Sequence, residues 1–490
     1  MSPVSEHLHA APNLYQPQGD LAEQRTPTRA PRQERDAASG RTTDRTRNPA
    51  PQPTPETASG RKPDGTPRRT PKDAPVARGA FASLRLRNYR LYFFGMLLSN
   101  TGLWMSRIAQ DWLVLTILTD NSSLALGTVT ALQFLPMPLL AAFARALAAR
   151  FNKRPLLSIT QSLSAITSLT LAALIFTGSV HLAHVYALAL AQGILNALDN
   201  PTRQAFVSEM VPGEFVANAV GLNSTSFHAA RLLGPAVAGV TIAAWGVGPA
   251  ILVNGLSFAA VLVALRLMDP ADLQPVPSRT GNGGVREGLR YVRGRPDIIL
   301  VMFMVFMLGT FGMNFQITNA LMATQVFGVG PEGYGLLGSV MAVGSLAGAL
   351  LAARRGRPRF RFLVAALAGF TVFATAAALS PSYWLYAVLL VPLGLCTLTA
   401  MTTANASVQI GTEAGMRGRV MALYMAVFMG GTPLGAPIVG WVGDAFGARW
   451  TMLAGAVAVG LSVVVALVYQ ARHGGLNVTL WRRAQRSPSP

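Results

Sequence analysis

Arg107 and Asp111 stand four residues apart inside an apolar stretch, a spacing that a helix turns onto one face. A charge at the middle of a bilayer costs roughly 2.5–3.5 kcal/mol on insertion scales, so the pair needs a reason. One reason is mutual neutralisation as an ion pair. The other is proton exchange at the Asp111 carboxyl, tuned by burial and by the guanidinium beside it. Arg231 and His228, three residues apart, form a second group. Arg231 could pair with Asp199, meet an anionic substrate, or lock two helices together. His228 could carry a proton, since imidazole titrates near neutrality, or stay buried and neutral. Arg107, Asp111 and Asp199 are therefore the candidates for proton coupling or gating. Arg231, His228, Gln133, Asn223, Asn314 and Asn405 are the candidates for a substrate cavity. Gln192, Asn196, Gln316, Asn319 and Gln409 are further uncharged groups suited to a polar cavity or to hydrogen bonds between helices.

The elements that must position these groups follow from composition. Of 490 residues, 51% are hydrophobic and 13% charged, with a formal net charge of +20. A soluble domain carries about 25% charged residues, so a soluble nucleic-acid binder is a poor reading of the positive charge. Residues 1–80 differ from the rest: they are rich in Pro, Thr and Arg, with 13 Lys/Arg against 9 Asp/Glu and no long apolar run. Such a segment cannot bury enough apolar surface to order itself, and is expected to be a disordered basic cytoplasmic tail.

From Leu91 onward, apolar runs recur at 91–118, 126–148, 156–177, 184–206, 217–242, 249–268, 298–323, 334–353, 361–380, 383–408, 419–441 and 449–471. Most reach the ~20 residues a helix needs to cross the hydrocarbon core. Charge supports twelve spans. With the N-terminus inside, the inner loops and C-terminal tail hold 22 Lys/Arg after residue 90 and the outer loops only Arg449. That asymmetry is the positive-inside rule. The expectation is an all-α membrane protein with both termini cytoplasmic, in the inner (cytoplasmic) membrane. Its parts are a six-helix half over 85–268, a cytoplasmic linker over 269–297, a second six-helix half over 298–471, and a tail over 472–490. No acidic residue falls within the expected spans of the second half, which puts any proton carrier in the first.

The halves repeat. Arg231 to Gly246 and Thr432 to Gly447 carry Gly234, Gly239 and Gly246 against Gly435, Gly440 and Gly447 at one offset of 201. Both runs occupy the fifth span of their half. Transporter folds retain such repeats. Gly lets helix backbones approach closely and Pro235 removes a backbone donor and bends its helix, as an interface between moving halves requires.

Four phrases carry a family resemblance: Ala109-Gln110-Asp111-Trp112, Asp199 through Phe206 with Pro201 and Arg203, Asn223-Ser224 through Arg231 to Gly234-Pro235, and Arg417-Gly418-Arg419-Val420-Met421. Over about 85–471 the chain resembles the major facilitator superfamily, in the bacterial branch that includes enterobactin exporters. The resemblance implies two six-helix halves that rock about a midplane site, with Gly234, Pro235 and Gly239 in an antiporter-like motif. A catecholate siderophore would bring anionic oxygens to Arg231. The family's loop between spans two and three contains Gly-x-x-x-Asp-Arg-x-Gly followed by basic residues. Here Arg150, Lys153 and Arg154 keep the basic positions, but Arg145, Ala149 and Asn152 replace the first Gly, the Asp and the second Gly. The inner latch that this Asp forms in the family needs a substitute, Glu209 or Glu214, or is weaker here. Arg203, Arg417 and Arg419 complete the conformational motifs.

The expected function is export of a small organic molecule, siderophore or drug-like, by alternating access with proton antiport. Import or facilitated diffusion is the alternative, and a non-transporting sensor or scaffold is another. The chain has three lysines, none in a phosphate-binding glycine loop, and no metalloprotease or nucleophile-elbow pattern. No enzyme activity, cofactor, metal or nucleic-acid partner is expected; the partners are the lipid bilayer, substrate and protons, and the chain is expected to act as a monomer.

Overall fold

Ser122 sets the start of the second long helix by accepting a hydrogen bond from the Ala125 amide at 3.2 Å, and Pro296 and Pro331 each open a helix where no amide donor is needed. The computed structural model describes residues 79–274, 285–354 and 359–472. Among these there are helices and no strands. Twelve long helices follow in order: α1 Arg87–Trp112, α2 Ser123–Arg150, α3 Lys153–Phe176, α4 Leu182–Glu209, α5 Val216–Trp245, α6 Val247–Leu267, α7 Pro296–Val326, α8 Pro331–Arg354, α9 Phe360–Ala378, α10 Tyr383–Gly411, α11 Arg417–Phe446 and α12 Ala448–Arg472. Ten of them are long and apolar enough to cross a membrane by length and composition. The other two, α1 and α4, are the ones that carry Arg107, Asp111, Asp199 and Arg203. The expected segment 1–80 falls outside the described residues except for its last two positions, as do the tail beyond Arg472 and part of the linker; the rest of the linker contains a short helix, Val285–Arg293.

Large aliphatic side chains face outward at helical spacing, as Ile159, Leu163 and Ile166 do on α3 and Val457, Leu461, Val464 and Val468 on α12. Water would penalise such stripes and lipid does not. The interior adds small and polar residues to its large apolar ones, and the small residues let backbones approach.

The repeat in the sequence is a repeat in space. Gly246 closes α5 with φ +85° and Gly447 closes α11 with φ +92°, a left-handed geometry in which a side chain would be strained. Seven residues earlier, Gly239 lies against Pro331 and Glu332 at the start of α8, and Gly440 lies against Ser123 and Leu124 at the start of α2. Gly234 touches α1 at Trp104, and Gly435 touches α7 at Thr310. Each half thus lends one helix to two equivalent seams, α5 with α8 and α11 with α2. The outer ends of α1 and α7 also match, both loosening into π-helical turns over Leu113–Leu118 and Met322–Val326, a distortion that often marks functional segments.

Helix α11 runs to Phe446 and α8 begins at Pro331, so Asp444 and Glu332 lie within helices. This corrects the expectation that the second half has no acidic residue in its spans: the structured helices extend past the apolar runs that marked them.

A Cβ at Gly435 would collide with the Thr310 carbonyl oxygen, whereas one at Gly430 meets nothing within 4 Å. Gly435→Val is expected to lose about 1–3 kcal/mol by overpacking, read as a lower unfolding midpoint in detergent, with Gly430→Val unchanged. Equal midpoints for the two variants would show that the α11–α7 contact is not tight.

Candidate functional site

Asp111 is 4% exposed, two residues before the π-helical turns that end α1. Its partner comes from the other half. The Tyr334 hydroxyl, on the first turn of α8, donates to Asp111 Oδ2 at 2.8 Å and also reaches the Gln316 carbonyl at 3.3 Å. The Tyr334 ring stacks on Trp112 at 6.4 Å between centroids. A buried carboxylate unpaired in hydrocarbon would be costly, and the phenol answers that cost across the interface. The Arg107–Asp111 ion pair, one of the two readings of these residues, is therefore not formed: no guanidinium nitrogen of Arg107 lies within 4 Å of an Asp111 carboxylate oxygen. Sequence reasoning misses Tyr334 because a lone tyrosine in an apolar run carries no charge or spacing signal.

Arg107 rests instead on aromatic faces, with its guanidinium carbon 4.9 Å from the Trp104 ring centroid and 5.2 Å from that of Phe134. Arg231 reaches the same Trp104 at 5.5 Å. Arg107 also lines a small pocket enclosed by α1, α2, α3, α4 and α6, within the first half. Gln110 and Gln133 meet there at 3.2 Å, Gln192 accepts from Thr167 at 2.7 Å, and Asn254 donates to Ser168 at 3.0 Å. Gln133, Gln192 and Asn196 are expected at a cavity, and they line this one. Gln110 and Asn254 are not among the expected residues, though both are amides on spans and an amide census of the first half would find them.

The Arg231–Asp199 pair, one of the alternatives for Arg231, is not formed either. Asp199 is 3% exposed and fully engaged: Thr160 and Gln161 donate to Oδ1 at 2.8 and 2.9 Å, and Arg203 pairs with Oδ2. Arg203 in turn donates to Asn100 at 3.3 Å. One turn of α4 thus ties α1, α3 and α4 together. Arg203 outcompetes Arg231 because i,i+4 spacing holds it against Asp199 at no cost in tertiary motion.

At the arginine-rich end, Lys153 pairs with Glu209 at 2.8 Å. An acid does take up the loop's basic residue, but both belong to the first half, so the contact joins α3 to α4 rather than one half to the other. Glu214 has no such ion pair among the described residues. Arg154 donates to the Leu265 carbonyl at 2.7 Å, Arg150 and Arg417 are exposed, and Arg419 meets Glu287 of the linker helix at 3.2 Å. Arg295 pairs with Asp297 at 2.7 Å, and that hydrogen bond holds its guanidinium above its ordinary pKa.

The remaining expected cavity residues are not assembled. Asn314 donates to Thr310 of its own helix at 2.7 Å, Asn405 accepts from Gln409 at 2.6 Å, and Asn319 accepts from Tyr386 at 2.7 Å. Asn223 is half-buried on α5, and His228 lies beside Phe227, ring centroids 5.8 Å apart. None of these lines the pocket around Arg107. Asn314 and Asn319 satisfy breaks and neighbours within the second half, which uncharged amides do as readily as they bind ligands.

At the end of the bundle opposite the arginine-rich loops, the halves are fastened by a carboxylate on a helix N-terminus. Asp444 of α11 accepts from the Ser123 amide at 2.6 Å, the Leu124 amide at 3.1 Å and the Ser122 hydroxyl at 3.2 Å. The first amides of a helix lack intrahelical partners and carry partial positive charge, so the anion is held by geometry and field together. Gln325 adds a hydrogen bond to the Asn121 carbonyl at 3.0 Å, and Ser339 one to the Leu232 carbonyl at 2.7 Å. The residue equivalent to Asp444 in α5 is Ala243, so the second seam has no such cap; there the Asp111–Tyr334 bond lies close by.

The model of the family described as transmembrane secretion effectors, a major facilitator family, matches residues 78–479. The staphyloferrin A transporter of Staphylococcus aureus is 24% identical over 364 residues, which is 73% of this chain and 90% of that protein. The multidrug efflux pump Tap of Mycolicibacterium fortuitum is 25% identical over 390 residues, 77% of this chain and 94% of the pump. Among solved structures, a bacterial homologue of the lysosomal transporter Spinster, in an inward-facing and unoccupied conformation, superposes with a TM-score of 0.65 at 14% identity, over 82% of this chain and 99% of that one. A D-xylose–proton symporter gives a TM-score of 0.59 at 14% identity, over 79% and 97% of the two chains.

Removing an N-cap acceptor costs about 0.5–2 kcal/mol. Asp444→Ala is therefore expected to speed hydrogen exchange of the amides at Ser123–Ala125 by up to about thirtyfold, while the Lys153–Glu209 region exchanges as before. Unchanged exchange at the start of α2 would show that the cap holds nothing.

Proposed function

The chain belongs to the transmembrane secretion effector family of the major facilitator superfamily, and from that premise we propose that it exports a small organic molecule across the cytoplasmic membrane in exchange for protons. It is a multi-pass membrane protein of secondary-transporter type and not an enzyme. The observation that carries the finer reading is the Asp111–Tyr334 bond. It places a buried carboxylate, the one such group of α1, on the contact between the halves.

A carboxylate at that place can couple protonation to motion. Ionised, it accepts from Tyr334 as a charge-assisted bond, about twice as strong as a neutral one. Protonated, it loses that advantage, and the α1–α8 contact weakens. Arg107, four residues earlier on the same helix, is the nearest cation by sequence, and Tyr334, with Trp112 stacked on its ring, bonds the carboxyl. Proton uptake from the side that the halves enclose would then release the closed end, and proton loss would restore it. Asp199, saturated by Thr160, Gln161 and Arg203, serves as structure in this scheme rather than as the carrier. The sequence likeness to a siderophore transporter and to a drug pump supports a small organic substrate, and the basic loops support cytoplasmic termini.

A second reading, import or facilitated diffusion, is favoured by one observation. The Lys153–Glu209 pair lies within a half, so the latch expected at the arginine-rich end has no counterpart among the described residues there that spans the halves. Export and import differ in the direction of net flux under a fixed pH gradient.

In liposomes with an imposed pH gradient, Asp111→Asn is expected to abolish proton-driven accumulation of a cationic dye while leaving gradient-independent exchange within about threefold. Asn keeps an oxygen for Tyr334 but cannot take up the proton. Wild-type flux with unaltered pH dependence in this variant would remove Asp111 as the coupling group.

A further inference from the structure

We propose that Arg107 and Arg231, gathered on the single indole of Trp104, form a binding site for the carboxylate of an organic anion, a substrate class that deepens the transporter reading above and rests on it. The two guanidinium carbons lie 4.9 and 5.5 Å from one ring centroid, so the two cations are within about 10 Å of each other in an interior that screens poorly. Like charges held this close repel, and a buried cation requires an opposite charge or a strong acceptor. Neither has one within the chain: among the described residues no carboxylate lies within 4 Å of either guanidinium. Asp111, the nearest acid along α1, has one oxygen committed to Tyr334. Of the half's other buried acids, Asp199 is committed to Arg203 and Glu209 to Lys153. What the guanidiniums have are aromatic faces, which orient them without neutralising them.

The surroundings are those of a ligand site rather than of a structural lock. Arg107 lines the pocket of the first half together with Gln110, which is 8% exposed and whose Nε2 has a donor without a partner. Asn254, 2% exposed on the pocket wall, keeps an acceptor without a partner. Trp104 Nε1 is a third buried polar atom, a donor left open. Buried polar atoms in folded proteins are almost always paired, so the two open donors, Gln110 Nε2 and Trp104 Nε1, together with the two cations call for oxygen acceptors bearing negative charge, while Asn254 Oδ1 calls for a donor. The pocket's apolar lining is Leu103, Leu171 and Leu188, and around the two cations lie aromatic rings: Phe227 packs edge-on to Trp104 at 5.9 Å and Phe134 lies under Arg107. Forked guanidinium donors match a carboxylate in geometry as well as in sign. The ligand class is therefore an organic molecule with a carboxylate and a planar or apolar body. The site uses α1 and α5, the helix that carries the Gly234–Pro235–Gly239 motif, so an occupant would contact a helix of the seam.

The probes are 2-naphthoate and its uncharged counterpart 2-naphthamide, titrated calorimetrically into the full chain in lipid nanodiscs. Naphthoate is expected to bind at least tenfold more tightly than naphthamide, and Arg107→Gln and Arg231→Gln each to weaken naphthoate at least tenfold while leaving naphthamide unchanged. Arg107→Lys, which keeps the charge and loses the fork, is expected to fall between. Equal affinity for the two probes in the wild-type chain, or no naphthoate binding, would overturn the site whatever the variants do. Naphthoate binding unaltered in folded glutamine variants would overturn it as well. The measurement needs no flux: selective binding in a chain that fails to transport would leave the site standing and remove the transporter reading, and transport of cationic dye without naphthoate binding would do the reverse.

Discussion

Charge placed in a bundle without water must be answered inside the bundle, and that constraint sorts this protein's interior. Asp199 is answered by three donors and becomes a rivet for α1, α3 and α4. Asp111 is answered by a phenol from the other half and becomes a contact between halves. Arg107 and Arg231 have aromatic faces as their contacts, with the Asp111 carboxylate beyond ion-pair distance of Arg107. In the proposed scheme the three outcomes correspond to three roles: a group saturated within its half stabilises that half, a group satisfied across the interface senses its opening, and a group left partly open is where an outside charge is welcome. The same physics explains why α1 and α4 are more polar than the other ten helices.

The seams show how two similar halves can close differently. Glycines at corresponding positions bring α5 against α8 and α11 against α2, so backbone approach is symmetric. The polar fastenings are not. Asp444 caps α2 with three hydrogen bonds, whereas its counterpart Ala243 offers α8 nothing. The cap sets a carboxylate on helix amides whose partial positive charge favours the anion. The fastening of the other side runs through a buried carboxylate held by a single phenol. In the proposed scheme one seam is a fixed clasp and the other a conditional one, an asymmetry suited to a cycle in which a proton decides when the end opens.

Much of the fold was legible in the sequence, because hydrophobic runs, loop arginines and the 201-residue glycine offset all report on membrane crossing and on close helix packing. The fold class followed from them, and the family from the resemblance carried by phrases such as Asp199 through Phe206 and Arg417 through Met421. The residues bearing charge were also visible, since any charge in an apolar run stands out. Their partners were not. Local spacing suggested Arg107 with Asp111, and the structure gave Asp111 to Tyr334, 223 residues away. Neighbouring spans suggested Arg231 with Asp199, and the structure gave Asp199 to Arg203 of its own helix. A pairing across a tertiary interface leaves no periodic trace, and a tyrosine or tryptophan in an apolar run looks like packing. Asp444 was missed for a simpler reason: apolar runs end before helices do, so an acid in the last turn of α11 read as loop.

The central claim is that the two halves exchange closure between the two ends of the bundle. It is tested most directly by paired spin-label distances in the full chain in nanodiscs, with Cys396 replaced by serine. One pair, at Ser179 and Pro381, spans the halves at the end that Asp444 fastens; the other, at Asn152 and Ala414, spans them at the arginine-rich end. All four positions are exposed. On acidification the account predicts that the first distance lengthens as the second shortens, with both shifts lost in Asp111→Asn. Distances that stay fixed at both ends, or that lengthen together, would contradict it.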